Sequence, residues 1–197
     1  FFIQLKSIQK NSLMKWKEAL KDFTLYLKIE RGMSMHTVNN YTLDVQKLVQ
    51  YLETHDMQLS PLQITTENVL GFIYEMAKGL NPRTQSRLIS GLRSFYDYLI
   101  FENYCSSNPL EGIEAPKIGR KLPDTLSVQD IDLIVGTIDL SSAQGERNRA
   151  IIETLYSCGL RVSELTELKI SDLFFEEGFI KVTGKGNKQR FVPIGPL

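Results

Sequence analysis

The chain has 197 residues, 42% hydrophobic and 23% charged, which allows one or two globular domains and argues against a disordered chain. Its 23 Lys/Arg balance 23 Asp/Glu, so global charge does not point to nucleic acid or a membrane surface, and any electrostatic footprint has to be local. Local bias exists: residues 1–31 hold seven Lys/Arg against three acids, and residues 178–197 hold Lys181, Lys185, Lys188 and Arg190 with no acid.

Residues 1–13 are read as an extension, because Lys6 and Lys10 interrupt any secretory-signal core and Met14 is a candidate start. Trp16, Leu20, Phe23 and Leu27 recur at helical spacing and predict a helix that Arg31-Gly32 ends. Ser34 caps a second helix, with Val38, Tyr41, Val45, Leu48 and Leu52 on its core face. Ser60-Pro61 has the look of a capping box over a short turn. Thr65 or Thr66 caps a third helix that turns Val69, Phe72, Ile73 and Met76 inward. Asn81-Pro82 opens a fourth, buried through Leu88, Leu92, Phe95 and Leu99. On another face of that fourth helix lie Arg83, Arg87, Ser90 and Ser94, either a solvated stripe or a row of phosphate contacts.

Residues 105–125 carry Pro109, Pro116 and Pro123, Gly112 and Gly119, and the basic Lys117, Arg120 and Lys121, with no helical or strand period. They predict a semi-extended linker, placed at 109–124, between a helical domain at 14–108 and a second domain at 125–197. In the second domain Ser127 caps a helix using Ile131, Ile134, Val135 and Ile138. Another spans about 146–158, with Ile151, Leu155 and Cys158 inward, Tyr156 read as core packing, and Gly159 as the stop. Ser163 opens a short helix whose apolar side is Val162, Leu165 and Leu168. Phe179-Ile180-Lys181-Val182 and Gln189-Arg190-Phe191-Val192 then predict a β-hairpin around Gly184-Lys185-Gly186-Asn187-Lys188.

Cys105 and Cys158 have no nearby His, which excludes a zinc site by ligand count and suggests free thiols in a reducing cytosol. No apolar run approaches the roughly 18–20 residues that span a bilayer, so a cytoplasmic protein is expected.

Two places carry candidate chemistry. Arg161 sits at a glycine-broken junction between two helices, where a guanidinium and a helix N-terminus both attract phosphate. The alternative is a surface ion pair, and Glu164 either orients Arg161 or simply favours the helix start. Lys185 sits at a glycine-flanked hairpin tip, exposed to a DNA groove or a scissile phosphate, or else serves as a solubilising turn lysine. Nucleotide binding is rejected for this segment: Gly-Lys-Ser/Thr is absent and strands flank it on both sides.

Gly159-Leu160-Arg161-Val162-Ser163-Glu164-Leu165, followed 24 residues after Arg161 by Lys185 and then by Arg190-Phe191-Val192-Pro193-Ile194, resembles the first half of the catalytic signature of Xer-type tyrosine recombinases and phage integrases. Arg31-Gly32-Met33-Ser34, Thr37, Tyr41 to Asp44, Arg93 to Leu99, Asn108-Pro109 and Lys121-Leu122-Pro123 are similar to the family's helical core-binding domain and linker. The likeness runs from about residue 16 to the end.

The resemblance implies a mainly α fold: a four-helix SAM-like core-binding domain, then part of an α+β catalytic domain with a small antiparallel sheet. It implies double-stranded DNA as partner, four protomers on two DNA sites, and no metal or cofactor. Arg161 would stabilise the phosphorane and Lys185 would protonate the departing 5′-oxygen. His36, Thr37, Asn40, Arg83, Arg87, Lys117, Arg120, Lys121, Lys188 and Arg190 are candidate DNA contacts. The family signature continues with His-x-x-Arg, a His or Trp, and a nucleophilic Tyr, whereas His36, His55 and all eight tyrosines here precede Lys185. The expectation is site-specific recombination by a full-length form, and DNA binding without cleavage by these residues. The competing readings are a DNA-binding module and a helical protein-interaction domain.

Overall fold

The computed structural model describes residues 14–119, 122–184 and 186–194. The fold is mainly helical with one small antiparallel sheet, and it divides into two compact units at residues 120/121. No helix among the described residues is long and apolar enough to cross a membrane.

The first unit is built on four helices: α1 (Trp16–Leu25), α2 (Met35–Thr54), α3 (Thr66–Ala77) and α4 (Pro82–Phe101). α1 runs on into a π-helical turn, Tyr26–Glu30, and Gly32 at φ 56° ends it in the left-handed region, as Arg31-Gly32 predicts. The predicted caps hold: Ser34, Thr65 and Asn81 accept from the backbone N–H of Thr37, Asn68 and Thr84. The predicted stripes meet in one core containing Phe23, Leu27, Val38, Val45, Leu48, Leu52, Val69, Phe72, Leu88, Leu92, Phe95 and Leu99. Phe95 is its hub, stacked on Trp16 at 6.0 Å and edge-on to Phe23 at 5.2 Å. The indole N–H of Trp16 donates to the Leu59 carbonyl at 2.8 Å, so the ring's polar end is satisfied while its face is buried. After α4 the chain still packs on this unit: Leu110 is buried, and Arg93 Nη2 donates to the Ile113 carbonyl.

The second unit places α5 (Val128–Gly136), α6 (Gly145–Cys158) and α7 (Val162–Thr166) before a three-stranded sheet of β1 (Leu173–Phe174), β2 (Phe179–Gly184) and β3 (Lys188–Pro193). The strands lie in the order β1-β2-β3, with Val182 opposite Arg190 and Gly184 opposite Lys188. Strand alternation sends Ile180 and Val182 into a small core with Leu160, against which Leu155, Cys158, Leu165 and Leu168 pack.

Three expectations fail here. Tyr156 is 48% exposed and is not core packing: it stands one residue past Leu155, off the stripe of Ile151, Leu155 and Cys158 that turns inward. Ile134 is likewise exposed, while Ile131, Val135 and Ile138 are half-buried. The last helix is capped by Arg161 and not Ser163, so Val162 becomes its first residue and lies exposed at 68%, leaving Leu165 and Leu168 to reach the core.

Candidate phosphate-binding site

Arg161 owes its position to two breaks in the chain. Gly159 stops α6 in the left-handed region at φ 57°, where a Cβ is disfavoured. Leu160 then enters the core, and Arg161 follows in an extended conformation as the N-cap of α7. Arginine has no acceptor with which to cap a helix. Glu164, three residues on, compensates: its Oε2 accepts the Arg161 backbone N–H at 2.8 Å, and its Oε1 accepts from Arg161 Nη1 at 2.8 Å. α7 is only five residues long, so its own dipole is small and the guanidinium carries the positive potential.

Glu164 is 3% exposed, and a buried carboxylate needs full pairing. Arg190 on β3 completes it with a bidentate fork, Nη1 to Oε1 at 2.6 Å and Nη2 to Oε2 at 2.9 Å. Each carboxylate oxygen therefore accepts two hydrogen bonds. The Arg190 fork first, and the Arg161 backbone N–H next, hold the Glu164 carboxyl well below the usual carboxylate range. The same fork raises the Arg190 guanidinium further. Two cations around one anion leave the cluster with a net positive charge. The Arg161 side chain is 73% exposed, so its remaining N–H donors are open to an incoming oxyanion. The ribbon backbone lies against the same carboxylate: a Cβ built on Gly184 would stand 3.1 Å from Glu164 Oε1.

The structure thus brings Arg161 and Arg190 together through Glu164; the Glu164–Arg190 half of the link was missed by sequence reasoning because its two ends are 26 residues apart. Lys185, Arg120 and Lys121 lie outside the described residues. Lys188 is exposed at the start of β3, and Lys117 is exposed after α4.

In the first unit, His36 is exposed on the opening turn of α2, Thr37 shares a hydroxyl hydrogen bond with Ser34 at 2.9 Å, and Arg83 is exposed at the start of α4. Asn40 and Arg87 come together, Arg87 Nη1 donating to the Asn40 carbonyl at 3.5 Å. The stronger partner of Arg87 is Asp44, at 2.5 Å. Asp44 is fully buried, and its Oδ1 has no hydrogen-bond partner among the described residues. Burial pushes its carboxyl up, against the pull of Arg87. Sequence reasoning missed this pair too, although an aspartate inside the Tyr41–Val45–Leu48 stripe and a glycine inside α4 both signal it. Gly91 is where α4 makes room: a Cβ there would stand 2.7 Å from Asp44 Oδ2. Among the described residues no group of His, Cys, Asp and Glu is arranged to hold a metal ion.

Two profiles of one family match this chain. The N-terminal SAM-like domain of phage integrases matches residues 20–103, and the Phage integrase family matches residues 124–196. The chain belongs to the phage integrase family, the tyrosine recombinases. Among its curated relatives, tyrosine recombinase XerD of Oceanobacillus iheyensis is 42% identical over 90% of this chain, and that of Listeria innocua 36% identical over 90%. The chain spans about 60% of the length of each. A solved lambda integrase tetramer bound to a Holliday junction superposes with a TM-score of 0.76 at 20% identity, over 99% of this chain and 55% of that one, and supports the fold. XerH site-specific recombinase bound to its palindromic difH substrate aligns with a TM-score of 0.63 at 25% identity, over 82% of this chain and 49% of that one.

Proposed function

We propose that this chain is the DNA-clamping and leading catalytic part of a site-specific DNA recombinase. In this reading residues 14–108 clamp the duplex, 109–124 link, and 125–197 begin the catalytic domain. Arg161 binds the scissile phosphate and stabilises the charge that develops on its oxygens. A tyrosine hydroxyl attacks the phosphorus to form a 3′-phosphotyrosine, and the leaving 5′-oxygen takes its proton from Lys185. The phosphodiester energy stays in the protein–DNA bond, so rejoining reverses the same step. The full-length form works as a tetramer across two DNA sites in the cytoplasm.

One observation carries this reading: a buried carboxylate holds Arg161 with its outer N–H groups unpaired among the described residues, the arrangement a phosphate ligand needs. Relatives named as tyrosine recombinases support the reaction class, and XerH in complex with its DNA substrate supports the partner. For these 197 residues alone we propose DNA binding without cleavage, since their two histidines and all eight tyrosines precede Lys185. The remaining candidates, His36, Thr37, Asn40, Arg83, Arg87, Lys117, Arg120, Lys121 and Lys188, supply contacts that place the protein on the duplex without reading its sequence. A nicked suicide duplex tests the proposal: a retarded band that SDS removes is expected. An SDS-resistant adduct refutes the absence of cleavage, and no retarded band refutes DNA binding.

A further inference from the structure

Arg190 invites the simplest interpretation of a basic residue on a DNA-facing ribbon, a direct phosphate contact. Its surroundings argue otherwise. In the β2–β3 register it stands opposite Val182, which is fully buried, so its stem lies on the core side of the sheet; exposed Phe191 alternates to the other face. Its head is held by Glu164 through both terminal nitrogens, and its side chain is 40% exposed against 73% for Arg161. Glu164 has four acceptor positions: Arg161 fills two and Arg190 the other two. A carboxylate with all four filled has one orientation. Remove the two from Arg190, and a buried anion is left half-paired and free to turn, taking its grip on Arg161 with it. Gly184, the residue before Lys185, packs on the same oxygen. The carboxylate is thus the joint between the Arg161 turn and the base of the ribbon.

We infer that Arg190 is a positioning residue for Arg161: it acts through Glu164 to fix the phosphate-binding guanidinium and does not itself touch DNA. The inference rests on the DNA-binding reading for its consequence but not for its geometry, and the two can fail separately. Lysine at position 190 keeps the charge and loses the planar fork. Glutamine at 164 keeps the shape and loses the anion.

The test uses the full chain as wild type, R190K, R190M, E164Q, R161M and R161M/R190K. Duplex affinity is read by fluorescence anisotropy across salt, and solvent exchange of the Arg161 backbone N–H, which Glu164 Oε2 accepts, by NMR without DNA. R190K and E164Q are each expected to weaken duplex binding about fivefold with the salt slope of wild type, and R190K is expected to add nothing in the R161M background, as for residues acting in one chain of contacts. A direct phosphate contact instead leaves R190K near wild type, lowers the slope by about one in R190M, and adds to R161M; that outcome overturns the inference. Exchange of the Arg161 backbone N–H is expected to rise several-fold in both R190K and E164Q. Exchange unchanged from wild type in either folded variant overturns the inference whatever the DNA data show. Raised exchange in a chain whose wild type does not bind duplex upholds the clamp and refutes the DNA-binding reading.

Discussion

The guanidinium of Arg190 and the carboxylate of Glu164, 26 residues apart, meet through hydrogen bonds of 2.6 and 2.9 Å on a buried anion that also holds Arg161. This contact joins the helix break to the ribbon, the two segments in which the sequence concentrates its candidate chemistry. It also ties stability to pH.

Glu164 has a folded pKa below its ordinary 4.5, so its contribution to stability is complete above that value and is lost as pH falls toward the depressed one. Thermal unfolding of wild type and E164Q should therefore differ most near pH 7, with the gap narrowing below about pH 4.5. A gap that stays constant down to pH 3 would contradict the assignment.

Asp44 has the opposite sign. Burial raises its folded pKa above the ordinary 3.8, so keeping it charged costs stability at neutral pH, and the cost is relieved as pH falls through the raised value. Arg87→Met strips the buried carboxylate of its partner and should cost about 3 kcal/mol at pH 7, with a smaller loss near pH 4.5. Urea titration followed by Trp16 fluorescence checks this, since the sole tryptophan packs on Phe95 in the helical unit. An equal loss at both pH values would show that Asp44 takes up no proton.

Gly91→Ala should destabilise the same unit by about 1–3 kcal/mol. In an ordinary helix interior the change gains about 1 kcal/mol, but here the new methyl meets a fully buried Asp44 at 2.7 Å, and the side chain has no open space to yield into. The Trp16 signal reads this as well, and a stabilised variant would show that α2 and α4 lie further apart than the structure has them.

The helical unit was legible because its signals are local. Val38, Val45, Leu48 and Leu52 mark one stripe, Ser34 and Asn81 mark starts, and Gly32 marks a stop, each readable within a few residues. The second unit was less so. Leu133, Tyr156, Val162 and Ile170 are apolar or aromatic yet exposed, and periodicity shows that a side chain favours burial without showing what covers it. The hairpin and the Arg161 junction were legible from glycines and strand alternation. Asp44–Arg87 and Glu164–Arg190 were not, because each pair joins elements 43 and 26 residues apart and the sequence prints no register between them.

In the proposed recombinase Arg161 is a phosphate ligand held by Glu164. The most direct test of that role is the salt dependence of duplex binding by wild type and R161M, read as the slope of log affinity against log salt. The expected result is weaker binding with a slope lower by about one in R161M, the loss of one phosphate contact. Equal affinity and equal slope in the two proteins would contradict it.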